Sequence, residues 1–570
     1  MTEQTQVTTP TPSGGSNKLL IYGGIAALGL VAVGVIAAVF LIPKLLGADE
    51  NAIASVMPPG TTILVELNAL NLANEDAQRI SRAFEDALDE GGVEFDADDP
   101  ASFLEDLDDQ LDDASGLTFT GDIIPWIGPN LGVGLIDLDI DAIDNNEIPQ
   151  MIFAATIRDI DLADEFIENL IDAIEDETSN NVDDQEYSGV LTFEIDSDFD
   201  DERLAFARSD EMFFFASNLD TLEEAIDAQN GESLGDIAEY KDTISELPSD
   251  RAMTVYISGS GIEDFAKAAE GSGDVEGFNS DMIEDLGLTG LGFSATAIKE
   301  GIRIDYVGSY EGLTEEQQAI VDAQTDDIKT ADFLPESTYM FIVGQRLDLI
   351  WQNAVEVLDQ SGVSEDDIDE AMNQFDDMFG FDPSKDLIPL LDGEYSIAII
   401  DSDDGALAEE IGADLGSVIM MGSSNGEELL NLAEDLKDGL EDLDMNIDDS
   451  SNDDLTVYEI EDPSGDKIAA YGISEDYLIV ATSGRTVEDL FAGEPSLADS
   501  EQFKNAWDAF PRGTVPVMYI DVFGLLDAIE DLDSSIKDTV DVNPIYAIAV
   551  GAKSSNNMAQ STMIFFVEGD

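Results

Sequence analysis

A repeat with a period near 265 residues constrains this chain more than any other feature. Asp122-Ile123-Ile124-Pro125 recurs as Asp386-Leu387-Ile388-Pro389, an offset of 264. Ser209-Asp210-Glu211 recurs as Ser474-Glu475-Asp476 at 265, each before an apolar run. Leu234-Gly235-Asp236 through Tyr240-Lys241 matches Leu497-Ala498-Asp499 through Phe503-Lys504 at 263, and Leu247-Pro248 matches Phe510-Pro511 at the same spacing. Met57-Pro58-Pro59-Gly60 leads into the apolar stretch Thr61–Leu67, as Leu334-Pro335-Glu336-Ser337 leads into Thr338–Val343. A spacing held this closely over so long a span predicts two tandem copies of one module, over residues 50–315 and 325–570, joined near the polar stretch Thr314–Lys329.

Each copy mixes periodicities. Thr61–Leu67 alternates and is β-branched, as a strand should be. Ala77, Ile80 and Phe84 share a helical face behind Asn74, and Leu162, Phe166, Ile167 and Leu170 share one behind Asp161, so both polar residues are expected as helix caps. Strand pairs are expected at 131–137 with 151–157, at 204–208 with 212–216 across the short turn Ser209-Asp210-Glu211, and at 292–298 with 302–308. Short polar turns between strands, with occasional helices, predict an α+β fold: mainly antiparallel sheet with helices packed on one face. Phe213-Phe214-Phe215 reads as core strand.

Residues 1–18 form a polar tail rich in Thr, Pro, Ser and Gly. Leu19 to Ile42 is then a run of 24 residues without a charge. As a helix it reaches roughly 36 Å, enough to cross a hydrocarbon core of about 30 Å. A cleaved signal peptide is the alternative, since Ala52-Ile53-Ala54 offers a cleavage site, but signal cores span only about 7–15 residues. A single transmembrane helix in the lipid bilayer is therefore expected. Lys18 and Lys44 balance across it, and the short tail is the simpler part to keep inside, so the body is expected outside the cell membrane. Gly23/Ala27 and Gly34/Ala38 are small pairs at helical spacing that allow a homodimer through the span.

The openings at 58–67 and 335–343, the block Leu497-Ala498-Asp499…Phe503-Lys504…Phe510-Pro511, and one N-terminal span together resemble an uncharacterised bacterial family of membrane-anchored proteins known only as a domain of unknown function. The resemblance implies an anchored α+β ectodomain and carries over no catalytic residue.

The chain holds 22 Lys and Arg against 127 Asp and Glu, a net charge of −105, with neither cysteine nor histidine. The charge excludes ordinary nucleic-acid binding, which replaces phosphate counterions with Lys and Arg. The missing residues exclude disulfides, thiolate chemistry and every imidazole base. Beyond residue 47 the acids are spread through both copies. Such a surface fits adaptation to saline surroundings, where screening removes self-repulsion. The other reading is a bed of weak divalent-cation sites, calcium for example, built from carboxylate oxygens.

Two loops are candidate metal sites. Asp196, Asp198 and Asp200 open like a calcium loop, but Asp201 stands where that loop needs glycine and Ala207 where it needs glutamate. Asp137, Asp139 and Asp141 alternate off a strand end. Acids this dense form such clusters by chance, so no cofactor is expected. Gly422-Ser423-Ser424-Asn425-Gly426 matches the G-x-S-x-G nucleophile elbow, yet lacks a histidine base, so a strand–turn–helix loop capped by Ser or Asn is expected. The expected role is non-catalytic binding or scaffolding, with a ligand cleft where the copies join. The rival is an extracytoplasmic, carboxylate-dependent hydrolase assisted by a metal.

Overall fold

The computed structural model describes most of residues 52–568; residues 84–107, 137–148, 196–202, 273–286, 311–317, most of 352–364, 405–413, 531–543 and several shorter breaks lie outside the description. The span Leu19 to Ile42 also lies outside the described residues. Among the described residues no helix is long and apolar enough to cross a membrane.

The described chain is α+β, and the pairings below are antiparallel. It separates into two compact units, one ending at Ile237 and the other beginning at Ala238 and taking in the helix Glu75–Ala83. The first unit holds β1 (Ile63–Asn68), β2 (Ile127–Leu135), β3 (Met151–Ile157), β4 (Val182–Tyr187), β5 (Val190–Ile195), β6 (Leu204–Ser209) and β7 (Met212–Ala216). Their order across the sheet is β1-β2-β3-β7-β6-β5-β4.

Helices cover both faces of this sheet, where the sequence pattern suggested one. On one face the helix Ile160–Thr178 sets Phe166 against Trp126 and Phe213, with ring centroids 5.0 to 5.9 Å apart. Each such ring pair adds about 0.5–1.5 kcal/mol beyond area burial. On the other face Ala154 and Phe214 are fully buried beside the helix Leu219–Asn230, whose Leu222, Ala225 and Ile226 are also sealed. The reason lies in β7: Phe213-Phe214-Phe215 is a continuous apolar run, the signature of a strand buried on both sides. The cap at Asp161 is displaced as well. The helix begins at Ile160, and Asp159 takes the capping position, its carboxylate accepting from the Leu162 N–H at 3.3 Å. Asn74 is outside the described residues.

The second unit opens with β8 (Met253–Ser258), β9 (Leu288–Ile298) and β10 (Gly301–Tyr310). It continues with β11 (Thr338–Gln345), β12 (Glu394–Asp401), β13 (Leu415–Gly422), β14 (Asn446–Ser451), β15 (Leu455–Glu461), β16 (Lys467–Ser474) and β17 (Tyr477–Ala481), then β18 (Val515–Asp521), β19 (Ile545–Ser555) and β20 (Met558–Val567). The order is β8-β9-β10-β20-β19-β18-β11-β12-β13-β17-β16-β15-β14. Both faces are again covered. Phe503 and Ala506 of the helix Glu501–Asp508 pack on Phe341, Ala398, Tyr519 and Ile564. Leu429 and Ala433 of the helix Gly426–Asp442 pack on Tyr458, Tyr471 and Ile473 of the opposite face.

Short capping devices recur. Ser233 with Asp236 and Ser496 with Asp499 form the same capping box at the head of a one-turn 3-10 helix. Irregular helical turns at Phe119–Ile123 and Pro383–Leu387 are capped by Thr118 and Asp382.

β10 and β20 pair along nine positions, from Gly301↔Phe566 to Ser309↔Met558. Gly301 makes that approach feasible. Its φ is +154°, and a Cβ there would sit 1.9 Å from the Phe565 carbonyl oxygen. This strand pair joins residues 301–309 to 558–566 within the second unit, whose main run begins at Ala238.

Candidate ligand cleft

The six candidate metal residues, Asp137, Asp139, Asp141, Asp196, Asp198 and Asp200, all lie outside the described residues. Among the described residues no group of three or more carboxylates is placed to hold a metal ion. The G-x-S-x-G segment is the expected strand–turn–helix. It leaves β13 at Gly422 and enters the helix at Gly426, and Asn425 accepts from the Glu428 N–H at 3.4 Å. Ser424 gives both its N–H and its hydroxyl to Asp392, at 2.8 and 2.7 Å. That hydroxyl is tied into a turn and has no imidazole to activate it.

Described residues of the second unit form two concavities of interest. The larger, about 870 Å³, is a groove along the ends of β11 and β12. Asp332, Glu336, Asp401, Asp403, Asp404, Asp414 and Asp489 line it, against Arg485 as the one lining base among the described residues. Burial raises the Asp401 carboxyl above its ordinary value, and the charges of Asp414 and Asp403 raise it further. Asp404 is held below its ordinary value. Burial opposes that shift, but hydrogen bonds from Lys467 and Ser483 outweigh it. Lys467 Nζ lies 3.1 Å from Asp404 and 3.1 Å from Glu459.

The smaller concavity, about 350 Å³, sits on the β10–β20 seam. One wall is Glu246–Asp250 with Arg303, Asp305, Tyr306 and Val307; the other is Pro511, Arg512, Thr514, Lys553 and Gln560–Thr562. Its floor is a buried polar chain. Asp305 accepts from the Thr562 hydroxyl at 2.8 Å and from Arg303 Nε at 2.8 Å. Arg303 reaches on to Asp250 at 3.1 Å. The Asp305 and Arg303 side chains are only 8% and 12% exposed, so each needs the other: an unpaired buried charge costs several kcal/mol. Gln560 donates to Glu246 across the seam. Burial pushes the Tyr306 hydroxyl up to about 12, with Tyr310 adding to it, so the phenol stays neutral.

Sequence reasoning placed β10 but passed over Asp305 and Arg303. The available signal was two charged residues at i and i+2 on one face of an apolar strand, Ile302-Arg303-Ile304-Asp305-Tyr306. Arg512 and Lys553 carried no local signal, because only the strand pairing brings them together.

No curated protein matches the chain. Among solved structures, crystal form IV of TP0453 is 9% identical with a TM-score of 0.25, covering 45% of this chain and 79% of its own. Crystal form I is 8% identical with a TM-score of 0.24, covering 46% and 79%. The family described as protein of unknown function (DUF3352) matches residues 96–566, most of the chain, and the chain belongs to that family.

Proposed function

We propose that this chain is a membrane-tethered, extracytoplasmic binding or scaffolding protein that performs no chemistry of its own and takes its ligand in the seam cleft. The cleft carries the reading: it is walled by residues 246–307 on one side and 511–562 on the other.

Those walls are the matching ends of two copies of one module. The order β1-β2-β3-β7-β6-β5-β4 returns as β11-β12-β13-β17-β16-β15-β14, every strand number raised by ten. β8, β9 and β10 likewise correspond to β18, β19 and β20. Asp305 and Thr562 are each the fifth residue of their strand, and they face each other at the centre of the nine-pair register. Two copies meeting about a local twofold axis would produce this arrangement, and a cleft at such a joint is a common ligand site.

Leu19 to Ile42 supplies the tether as a single-pass helix in the lipid bilayer, with room for a homodimer through its small-residue pairs. The acid surface suits saline surroundings, and no cofactor is invoked. External protease on intact cells tests the placement: the body should be cut, and a protected body overturns it. Native mass spectrometry of the full detergent-extracted chain tests the cleft. A small molecule retained by the natural protein and lost from Ser249→Trp, which puts a bulky ring on an exposed wall of the cleft, is the expected result. The same bound mass in both proteins would move the ligand elsewhere.

A further inference from the structure

The cleft's charge names the ligand class, an inference that rests on the binding reading above. In a chain with 127 acids and 22 bases, a cation ordinarily finds a carboxylate. Arg303 does so twice, with Asp305 and Asp250. Arg512 and Lys553 do not: neither makes an ion pair or a side-chain hydrogen bond among the described residues. Both line the same 350 Å³ cleft.

Their positions are set by backbone. Arg512 is the second residue of the turn Pro511–Thr514, closed by the Thr514 N–H to the Pro511 carbonyl at 3.1 Å. Gly513 follows at φ +84°, the left-handed conformation that the third position of a type II turn requires. Lys553 stands near the end of β19, paired in register with Gln560 of β20. The turn and the strand thus hold two cations at one opening, while the third, Arg303, is neutralised at the floor.

We propose that the seam cleft binds a small molecule through an oxyanion, a carboxylate or a phosphate, held by Arg512 and Lys553. A guanidinium presents a planar fork that matches either group bidentately, and an ammonium adds a second, compact charge. Ser249 and Thr514 line the same space and suit an oxygen-rich body. The volume admits a ligand of about ten to fifteen heavy atoms.

Calorimetric titration of the full chain in detergent, at fixed ionic strength, tests this with inorganic phosphate and with gluconate as probes. Saturable binding of at least one is expected, and which one separates phosphate from carboxylate. The double variant Arg512→Ala/Lys553→Ala should bind about tenfold more weakly or worse, the loss of one charge-assisted contact being worth that much. The charge-keeping variant Arg512→Lys/Lys553→Arg should stay within about threefold. Arg512→Gln alone removes an exposed side chain and keeps the test valid if the double variant melts early. Equal binding by the natural protein and the alanine variant overturns the proposal. So does a natural protein that saturates with neither probe; an uncharged ligand found by native mass spectrometry would then leave the cleft reading standing without it.

Discussion

The groove at the ends of β11 and β12 and the cleft on the β10–β20 seam belong to one unit and treat charge in opposite ways. The groove sets seven acids against Arg485. The cleft sets Glu246, Asp250 and Asp305 against Arg303, Arg512 and Lys553, a neutral balance in a body that is otherwise overwhelmingly anionic. In the groove burial raises the Asp401 carboxyl, and the neighbouring charges of Asp414 and Asp403 raise it further. The cleft's floor is an ordered relay, Asp250–Arg303–Asp305–Thr562, with every charge partnered. In the cleft the buried Asp305 carboxylate holds Arg303 as its partner, whereas the groove's acids outnumber their bases.

The largest expected effect separates the two regions by salt. At about 0.15 M the screening length is near 8 Å, so neighbouring groove carboxylates still repel; at 1 M it falls to about 3 Å. The melting temperature should climb by roughly ten degrees or more between dilute buffer and molar sodium chloride. Hydrogen exchange should show most of that protection in β12 and β13 and little in β10 and β20. A flat melting temperature would sink the salt-adaptation reading. Equal protection of both regions would erase the contrast between them, and the whole gain appearing with micromolar calcium alone would favour cation sites.

A second, smaller effect isolates the seam. In Gly301→Ala the new methyl would lie 1.9 Å from the Phe565 carbonyl oxygen, so one of the two strands must retreat. The expected cost is more than about 2 kcal/mol in urea unfolding, typical of a side chain forced against backbone. Exchange protection should drop along β10 and β20, and binding in the cleft should go with it, while the groove keeps its titration behaviour. Unchanged stability would mean that the nine-pair register is not what holds the two walls of the cleft together.

Structural punctuation was legible because it is local. Ser233/Asp236 and Ser496/Asp499 each cap a one-turn 3-10 helix, and Leu247-Pro248 and Phe510-Pro511 follow the helices Ala238–Ser245 and Glu501–Asp508. The hairpins at 209–212 and 298–301 were legible for the same reason. Coverage of both sheet faces was available in Phe213-Phe214-Phe215 but read only as core. The seam was not legible, because pairing β10 with β20 joins residues 249 to 265 positions apart, and no local pattern encodes which exposed strand edge meets which. The cleft, with Arg512 and Lys553, inherits that opacity.

The smallest effects lie inside the groove, where two neighbouring acids shift in opposite directions. The Asp401 carboxyl is raised by burial and by Asp414 and Asp403, so the folded chain holds this proton to higher pH than the unfolded chain does. It therefore subtracts stability above its folded value, and the penalty fades as pH falls through that value toward the ordinary range near 4. Asp404 is the reverse. Its carboxyl is lowered by Lys467 and Ser483 against the pull of burial, so it adds stability above the ordinary range and loses it as pH falls through the lowered value. At pH 7 in dilute buffer Asp401→Asn should gain at most about 0.5 kcal/mol after solvent screening, and Asp404→Asn should lose about 0.5–1 kcal/mol with its partly exposed partner Lys467. Urea unfolding at pH 7 and pH 3 measures both. Each difference should shrink at the lower pH, and molar salt should abolish the Asp401 gain first, because repulsion between exposed charges is screened before a hydrogen-bonded pair is. Two variants moving in the same direction would show that the groove carboxylates act as one diffuse charge, and the contrast between an unordered acidic wall and an ordered polar floor would lose its basis.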